Sequence, residues 1–181
     1  MFLIVKNVYR IISIEPQDLG IDLKRKIKRK INQLLIGQCS EEFGYIIDIN
    51  RYYFDMGEQG DDLEGVVQDT TGDVVFNARF DIIALKPNKN EVLDGKVMSI
   101  TDNGIEVFSG PIKSFIDKNR LGAEYEYNST NDQYLSLNPD LPPIKRGTKI
   151  RYRIENLKFQ NNEFAAISTI QDNYLGVINS H

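Results

Sequence analysis

LKPNKNEVLDGKVMSITDNGIEVFSGPIKSFI, residues 85–116, holds three short runs of strand character, with turn signals at Asp94-Gly95 and Asp102-Asn103-Gly104. Lys89-Asn90-Glu91-Val92, Gly95-x-Val97, Ile100, Gly104-Ile105-Glu106-Val107 and Gly110-x-Ile112 fall into these three runs, separated by the turn signals, and predict a three-stranded meander. Ile105 and Val107 project to one face of the second strand and Glu106 and Phe108 to the other, so that strand is half buried. A twisted meander of this kind opens a small closed or partly closed antiparallel barrel.

Length and composition set the limits around it. The 181 residues suffice for one large domain or two small ones, each with its own core. The single cysteine, Cys39, excludes an internal disulfide, and the single histidine, His181, leaves only carboxylates for any metal. Neither a metal nor another cofactor is expected. The net charge of −4 is unevenly placed: residues 1–85 carry 10 Lys/Arg against 14 Asp/Glu, and residues 86–181 carry 12 of each. No apolar run is long enough for a transmembrane helix, and the opening Met1-Phe2-Leu3-Ile4-Val5, broken by Lys6, reads as a strand rather than a signal peptide. No membrane partner is expected.

Residues 2–14 mix Val, Ile, Tyr and Phe in strand fashion and stop at Glu15-Pro16. The apolar Phe2, Ile4 and Val5 are expected to be exposed on this strand and to call for a protein partner. A helix opens near Ile21-Asp22-Leu23. Leu23, Ile27, Ile31, Leu34 and Leu35 recur at its period, and Gly37 ends it. Its other face holds Lys24, Arg25, Lys26, Lys28, Arg29 and Lys30, which reads either as a solvated face or as a contact with phosphate or an acidic partner. Residues 43–56, 63–68 and 73–85 read as strands. In the last, Phe76, Ala78, Phe80, Ile82 and Ala84 form one apolar face by strict alternation. Residues 1–85 are therefore expected to form an antiparallel sheet covered by one helix, in an α+β fold. The loop Gly57 to Gly65 combines three glycines with Glu58, Asp61, Asp62 and Glu64. It lacks the spacing of a calcium loop and reads as solvated or partner-contacting.

Residues 117–147 are rich in Asn, Pro and Gly and read as a long functional loop or an insertion. Residues 148–156 and 163–170 supply two last strands, bringing residues 86–181 to the five that an OB barrel needs. In Thr148 to Ile154, the apolar Ile150, Tyr152 and Ile154 alternate with Lys149, Arg151 and Arg153. Three cations therefore line one face of a strand, as its wet side or as a track for an RNA backbone. Lys96, Lys113 and Lys118 are candidates for the same path.

Met1-Phe2 opening into a strand, Gly37-x-Cys39 leading to Phe43-Gly44-Tyr45-Ile46, and Phe76-Asn77-Ala78-Arg79-Phe80 followed by Lys86-Pro87 carry a resemblance to a known family. It continues through Glu91-Val92-Leu93-Asp94-Gly95, Gly104-Ile105-Glu106-Val107, Gly110-Pro111-Ile112-Lys113 and Asp172-Asn173-Tyr174-Leu175-Gly176. The chain resembles the large stalk subunit of RNA polymerases, most closely the seventh subunit of eukaryotic RNA polymerase II, with the archaeal counterpart more distant. The polymerase I and III counterparts share the plan, and the compact ending and the Gly-x-Glu-Val strand favour polymerase II. The meander's spacing likewise resembles the start of an S1-type OB domain.

The resemblance implies a nuclear protein without catalytic activity, built from an N-terminal tip domain (1–85) and a C-terminal S1-type five-stranded barrel (86–181). It implies a heterodimer with a small helical stalk subunit, docking on polymerase core subunits, and contact of the barrel with single-stranded RNA. The docking surface maps to Glu15, Pro16, Gln17, Asp18, Leu19 and Gly20, and to a second loop with Gly57, Asp61, Asp62, Leu63 and Glu64. S1 domains place two aromatics around the glycine of the second strand, where Gly104 here has Asn103, Ile105 and Val107. Phe108 and Phe115 remain as stacking candidates, although a lone Phe in a barrel strand more often belongs to the core. Two rivals are weaker. An enzyme would need a positioned base with a nucleophile or metal, and the neighbouring Asp61 and Asp62 in a glycine-rich loop are poorly held for it. A free-standing S1 protein does not account for residues 1–85.

Overall fold

The computed structural model describes residues 1–55, 64–139 and 141–178. It is an α+β protein, mostly strand, that divides into two compact units, Phe2–Lys86 and a second beginning at Pro87. In the first unit, β1 (Phe2–Ile14) is followed by a 3-10 turn (Pro16–Asp18), helix α1 (Leu23–Leu35), β2 (Cys39–Ser40), β3 (Gly44–Tyr52), a second 3-10 turn (Tyr53–Asp55), β4 (Gly65–Val67) and β5 (Val74–Leu85). The strands form one antiparallel sheet in the order β1-β5-β3-β2, with β4 also paired to β5. Period-two alternation on β5 turns Phe76, Ala78, Phe80, Ile82 and Ala84 inward, and period-3.6 recurrence on α1 buries Ile27, Ile31 and Leu35 in the same core. Each fully buried isoleucine contributes about 1.5–3 kcal/mol relative to exposure.

β1 is an edge strand of 13 residues, and its outward residues Phe2, Ile4, Tyr9 and Ile11 are exposed. Val5 departs from expectation: it is partly buried and packs on the core, because the pleat sends it to the opposite face from Ile4. The strand bulges between Val5 and Val8, where Asn7 takes φ 57° and its N–H donates to Asp81 Oδ1 at 2.9 Å. The basic face of α1 is partly absorbed by the fold. Lys26 pairs with Asp18, Lys30 donates to the Ser13 carbonyl, and Lys28 lies over the Tyr52 ring. Lys24, Arg25 and Arg29 stay exposed.

The second unit runs β6 (Val92–Thr101), β7 (Gly104–Ser109), β8 (Ile112–Asp117), α2 (Lys118–Leu121), β9 (Tyr125–Asn128), β10 (Gln133–Ser136), β11 (Lys149–Gln160), β12 (Glu163–Thr169) and β13 (Gly176–Val177). The meander of β6, β7 and β8 is present. β11 pairs with both β6 and β12, and β12 lies parallel to β8, so the five strands close in the order β6-β7-β8-β12-β11. Inside the ring Val97, Ile105, Val107, Ile116, Ile150, Tyr152 and Ile154 are fully buried.

Two expectations change. Asp94-Gly95 is no turn, since both residues lie within β6. Glycine is needed there because a Cβ at position 95 would sit 2.6 Å from Val107 Cγ1 and 2.9 Å from the Phe108 carbonyl oxygen. The 117–147 segment is also more than a loop, because it forms α2 and the β9–β10 hairpin and adds Leu121, Tyr125, Tyr134 and Ile144 to the core. The Tyr134 hydroxyl donates to the carbonyls of Thr101 (2.8 Å) and Asp102 (3.2 Å). Burial, with Asp102 nearby, pushes its pKa up to about 12.

Gly104 has φ 152°, and a Cβ there would overlap the Ile116 carbonyl oxygen on β8 and approach Phe115 Cζ to 2.9 Å. Gly104→Ala is therefore expected to destabilise the protein by about 2 kcal/mol or more. Urea unfolding measures this, and an unchanged midpoint would show that β8 can move aside.

Candidate nucleic-acid interface

Alternation on β11 turns Ile150, Tyr152 and Ile154 wholly inward and leaves Lys149 and Arg151 exposed and Arg153 half buried. The structure does not keep these three cations alike. Arg151 forms a two-pronged ion pair with Asp94 across β6, at 2.6 Å from Nε and 2.8 Å from Nη2. That guanidinium holds the Asp94 carboxyl below its ordinary range, and Asp94 raises Arg151 in turn. Arg153 pairs with Asp172 at 2.7 Å.

Lys149 instead stands opposite Lys96 on β6, Lys96 opposite Phe108 on β7, and Phe108 opposite Lys113 on β8. These four residues form one row across four neighbouring strands, spaced about 4.8 Å apart. The row thus crosses the strands instead of following β11. Among the described residues neither Lys96 nor Lys149 is in an ion pair, and like charges directly opposite one another oppose folding, an imbalance that a bound anion relieves. Lys113 is 2.6 Å from Glu163. Lys118 lies past the end of β8, in α2, outside the row.

Phe108 and Phe115 are both half buried and absent from the buried cores, because their positions on β7 and β8 point away from the inward Val107 and Ile116. Phe115 covers Gly104, supplying apolar contact where that strand has no side chain. Phe108 is left as the aromatic of the row. Three open depressions run along this side. The first, about 370 Å³, lies between Phe108, Lys113 and Phe115; the second, about 440 Å³, between Phe108, Lys96 and Lys149; the third, about 540 Å³, between Asp94, Arg151 and Tyr174. Neighbouring depressions share the lining residues Phe108 and Asp94, and the set is termed the groove. Cations with interleaved aromatics in a groove suit a single-stranded nucleic acid. Asp94 and Tyr174 escaped sequence reasoning, since no local spacing places them beside β11.

The expected docking loop Glu15 to Gly20 is wholly exposed around the 3-10 turn. Gln17 donates to Glu15 at 2.6 Å, and Lys26 lowers the pKa of Asp18 through a hydrogen bond at 2.9 Å. Pro16 opens the turn, and the exposed Leu19 closes it through its N–H to the Pro16 carbonyl. Of the second loop, Glu64 is exposed, while Gly57, Asp61, Asp62 and Leu63 lie outside the described residues.

No protein-family model matches the chain. DNA-directed RNA polymerase II subunit RPB7 of Saccharomyces cerevisiae is 32% identical over 175 residues, covering 96% of this chain and 98% of the yeast protein. The chain belongs to the RNA polymerase II subunit RPB7 family. The Dictyostelium discoideum subunit rpb7 is 26% identical over 168 residues, 92% of this chain and 94% of its own. DNA-directed RNA polymerase V subunit 7 of Arabidopsis thaliana is 25% identical over 181 residues, covering 97% of each. The likeness to the RPB7 family thus extends through both compact units.

Replacing Asp94 by Asn frees the Arg151 guanidinium at the groove. The pair is half exposed, so losing it should cost at most about 1 kcal/mol of stability. Binding of single-stranded RNA is expected to strengthen, with its log–log salt slope steeper by about 0.7 for the added phosphate contact. Titration at several salt concentrations measures it, and a slope equal to wild type would leave Arg151 outside the track.

Proposed function

We propose that this chain is a non-catalytic subunit of nuclear DNA-directed RNA polymerase II. On this reading it pairs with a small helical stalk subunit, docks on the polymerase core and touches single-stranded RNA through its second unit. The ring β6-β7-β8-β12-β11 is taken as an S1-type OB barrel and the first unit as the tip domain. In favour of the barrel are five strands closed with a parallel β8–β12 pair. The observation that carries the RNA contact is the row Lys149, Lys96, Phe108 and Lys113 along the groove. Phosphate contacts give affinity without sequence preference, and one available aromatic in that row gives weak stacking, which suits a surface that follows whatever transcript emerges. In favour of a protein partner on the first unit is the long edge strand β1, whose exposed Phe2, Ile4 and Ile11 would invite self-association if left uncovered.

Lys96→Ser with Lys149→Ser is expected to flatten the salt slope of single-stranded RNA binding by roughly 1.4, at about 0.7 for each lost phosphate contact. An unchanged slope in the double variant would remove RNA from this face.

The docking reading is tested by co-expression and affinity capture. The chain alone should self-associate, and the small stalk subunit should keep it soluble. The pair should then capture polymerase core subunits, and Asp61→Ser, Asp62→Ser and Glu64→Ser together should weaken that capture in a salt-dependent manner while leaving the pair intact. Unaltered core capture would return the loop to solvent.

A further inference from the structure

The 540 Å³ depression at the end of the groove is bounded by a residue that the fold presents outward without burying it. Tyr174 is 96% exposed and takes φ 67°, a left-handed backbone that is rare for a bulky side chain. Its neighbours are held. The Leu175 N–H donates to the Asp172 carbonyl, Leu175 and Val177 pack on the barrel core, and Gly176 and Val177 pair with Arg151 and Ile150 of β11. Asp172 is tied to Arg153. With the backbone anchored, only the ring's own rotamers remain to be ordered when it takes up a flat partner.

We propose that Tyr174 is a stacking platform for an unpaired RNA base, extending the groove from Lys96 and Lys149 past Asp94 onto the C-terminal segment. The inference rests on reading the groove as an RNA track. The depression beside the ring is lined by the Arg151–Asp94 pair, which offers donors and acceptors to a base edge, and by the apolar Val92, Leu93 and Leu175. The lysine-lined depression adjoins it at Asp94, which brings both within reach of one strand. A base is favoured over a purely hydrophobic protein anchor because a base offers both an apolar face and polar edges, as this mixed lining does, and because the adjoining depression holds Lys96 and Lys149.

The test uses the full chain co-purified with the small stalk subunit and fluorescent oligouridine of about twelve nucleotides, titrated at several salt concentrations. Tyr174→Asn removes the ring and suits the left-handed backbone, so folding is preserved. It should weaken binding by about fivefold or more, with an unchanged salt slope, because stacking neutralises no phosphate. Tyr174→Phe should bind as wild type does. Wild-type affinity in Tyr174→Asn overturns the inference, as does equal weakening in Tyr174→Phe, which would assign the effect to the hydroxyl. Loss of the small subunit from Tyr174→Asn with RNA affinity unchanged overturns it in favour of a protein anchor. If Lys96→Ser with Lys149→Ser flattens the slope while Tyr174→Asn does nothing, only the Tyr174 inference falls. If the wild-type pair binds no oligouridine at any salt, the groove reading falls with it.

Discussion

The second unit depends on one strand serving two neighbours. β11 runs for 12 residues, pairs with β6 through Lys149 to Arg153, and pairs with β12 from Arg153 onward, with its register shifting between Ile154 and Asn156. A shift of this kind bends a strand and increases its twist, which lets β11 leave β6 and reach β12. Closure then settles both sides of the strand. Ile150, Tyr152 and Ile154 fill the interior, and Lys149 is set opposite Lys96. The groove is thus a consequence of how the barrel closes.

Close backbone approach is the second constraint, and it divides the aromatics by role. At Gly95 and Gly104 a Cβ would meet the neighbouring strand, so tight pairing requires glycine at both. Phe115 fills the space over Gly104 and is thereby committed to the fold, while Phe108 stays with the lysines. The charges divide similarly. Arg151 and Arg153 are held by Asp94 and Asp172, whereas Lys96 and Lys149 face each other and water. Screening over about 8–10 Å at ordinary ionic strength makes these local differences matter more than the net charge of −4.

In the first unit one core settles nearly every position except those of β1. Helix α1 covers one face of the sheet, and the inward alternation of β5 meets Ile27 and Ile31. β1 supplies Val8, Ile12 and Ile14 to that core yet leaves Phe2, Ile4 and Ile11 uncovered along an edge. On α1, Lys26, Lys28 and Lys30 lie on flanks where Asp18, Tyr52 and Ser13 reach them, so the fold itself accounts for half of the basic face.

Features carried by local periodicity were legible in the sequence alone. The alternation from Phe76 to Ala84, the recurrence from Leu23 to Leu35 and the inward set on β11 follow from the two repeat lengths of polypeptide geometry, and each matches an observed buried face except at Leu34, which lies at the margin of the helical stripe and is exposed. Equally legible was the order of motifs that pointed to the RPB7 family, because it is a property of the chain itself. Pairing between distant strands was illegible. The three cations of β11 looked alike by alternation, and only closure against β6 gave Arg151 a carboxylate and Lys149 a second lysine. Gly95 read as a turn because its local signal is the same whether the chain reverses or another strand passes close by. Tyr174 read only as part of an ending, since its place beside β11 is set by the pairing of Gly176 and Val177. Periodicity specifies which face of an element is apolar, whereas the neighbours of its polar face are settled by long-range pairing, which leaves no trace in local spacing.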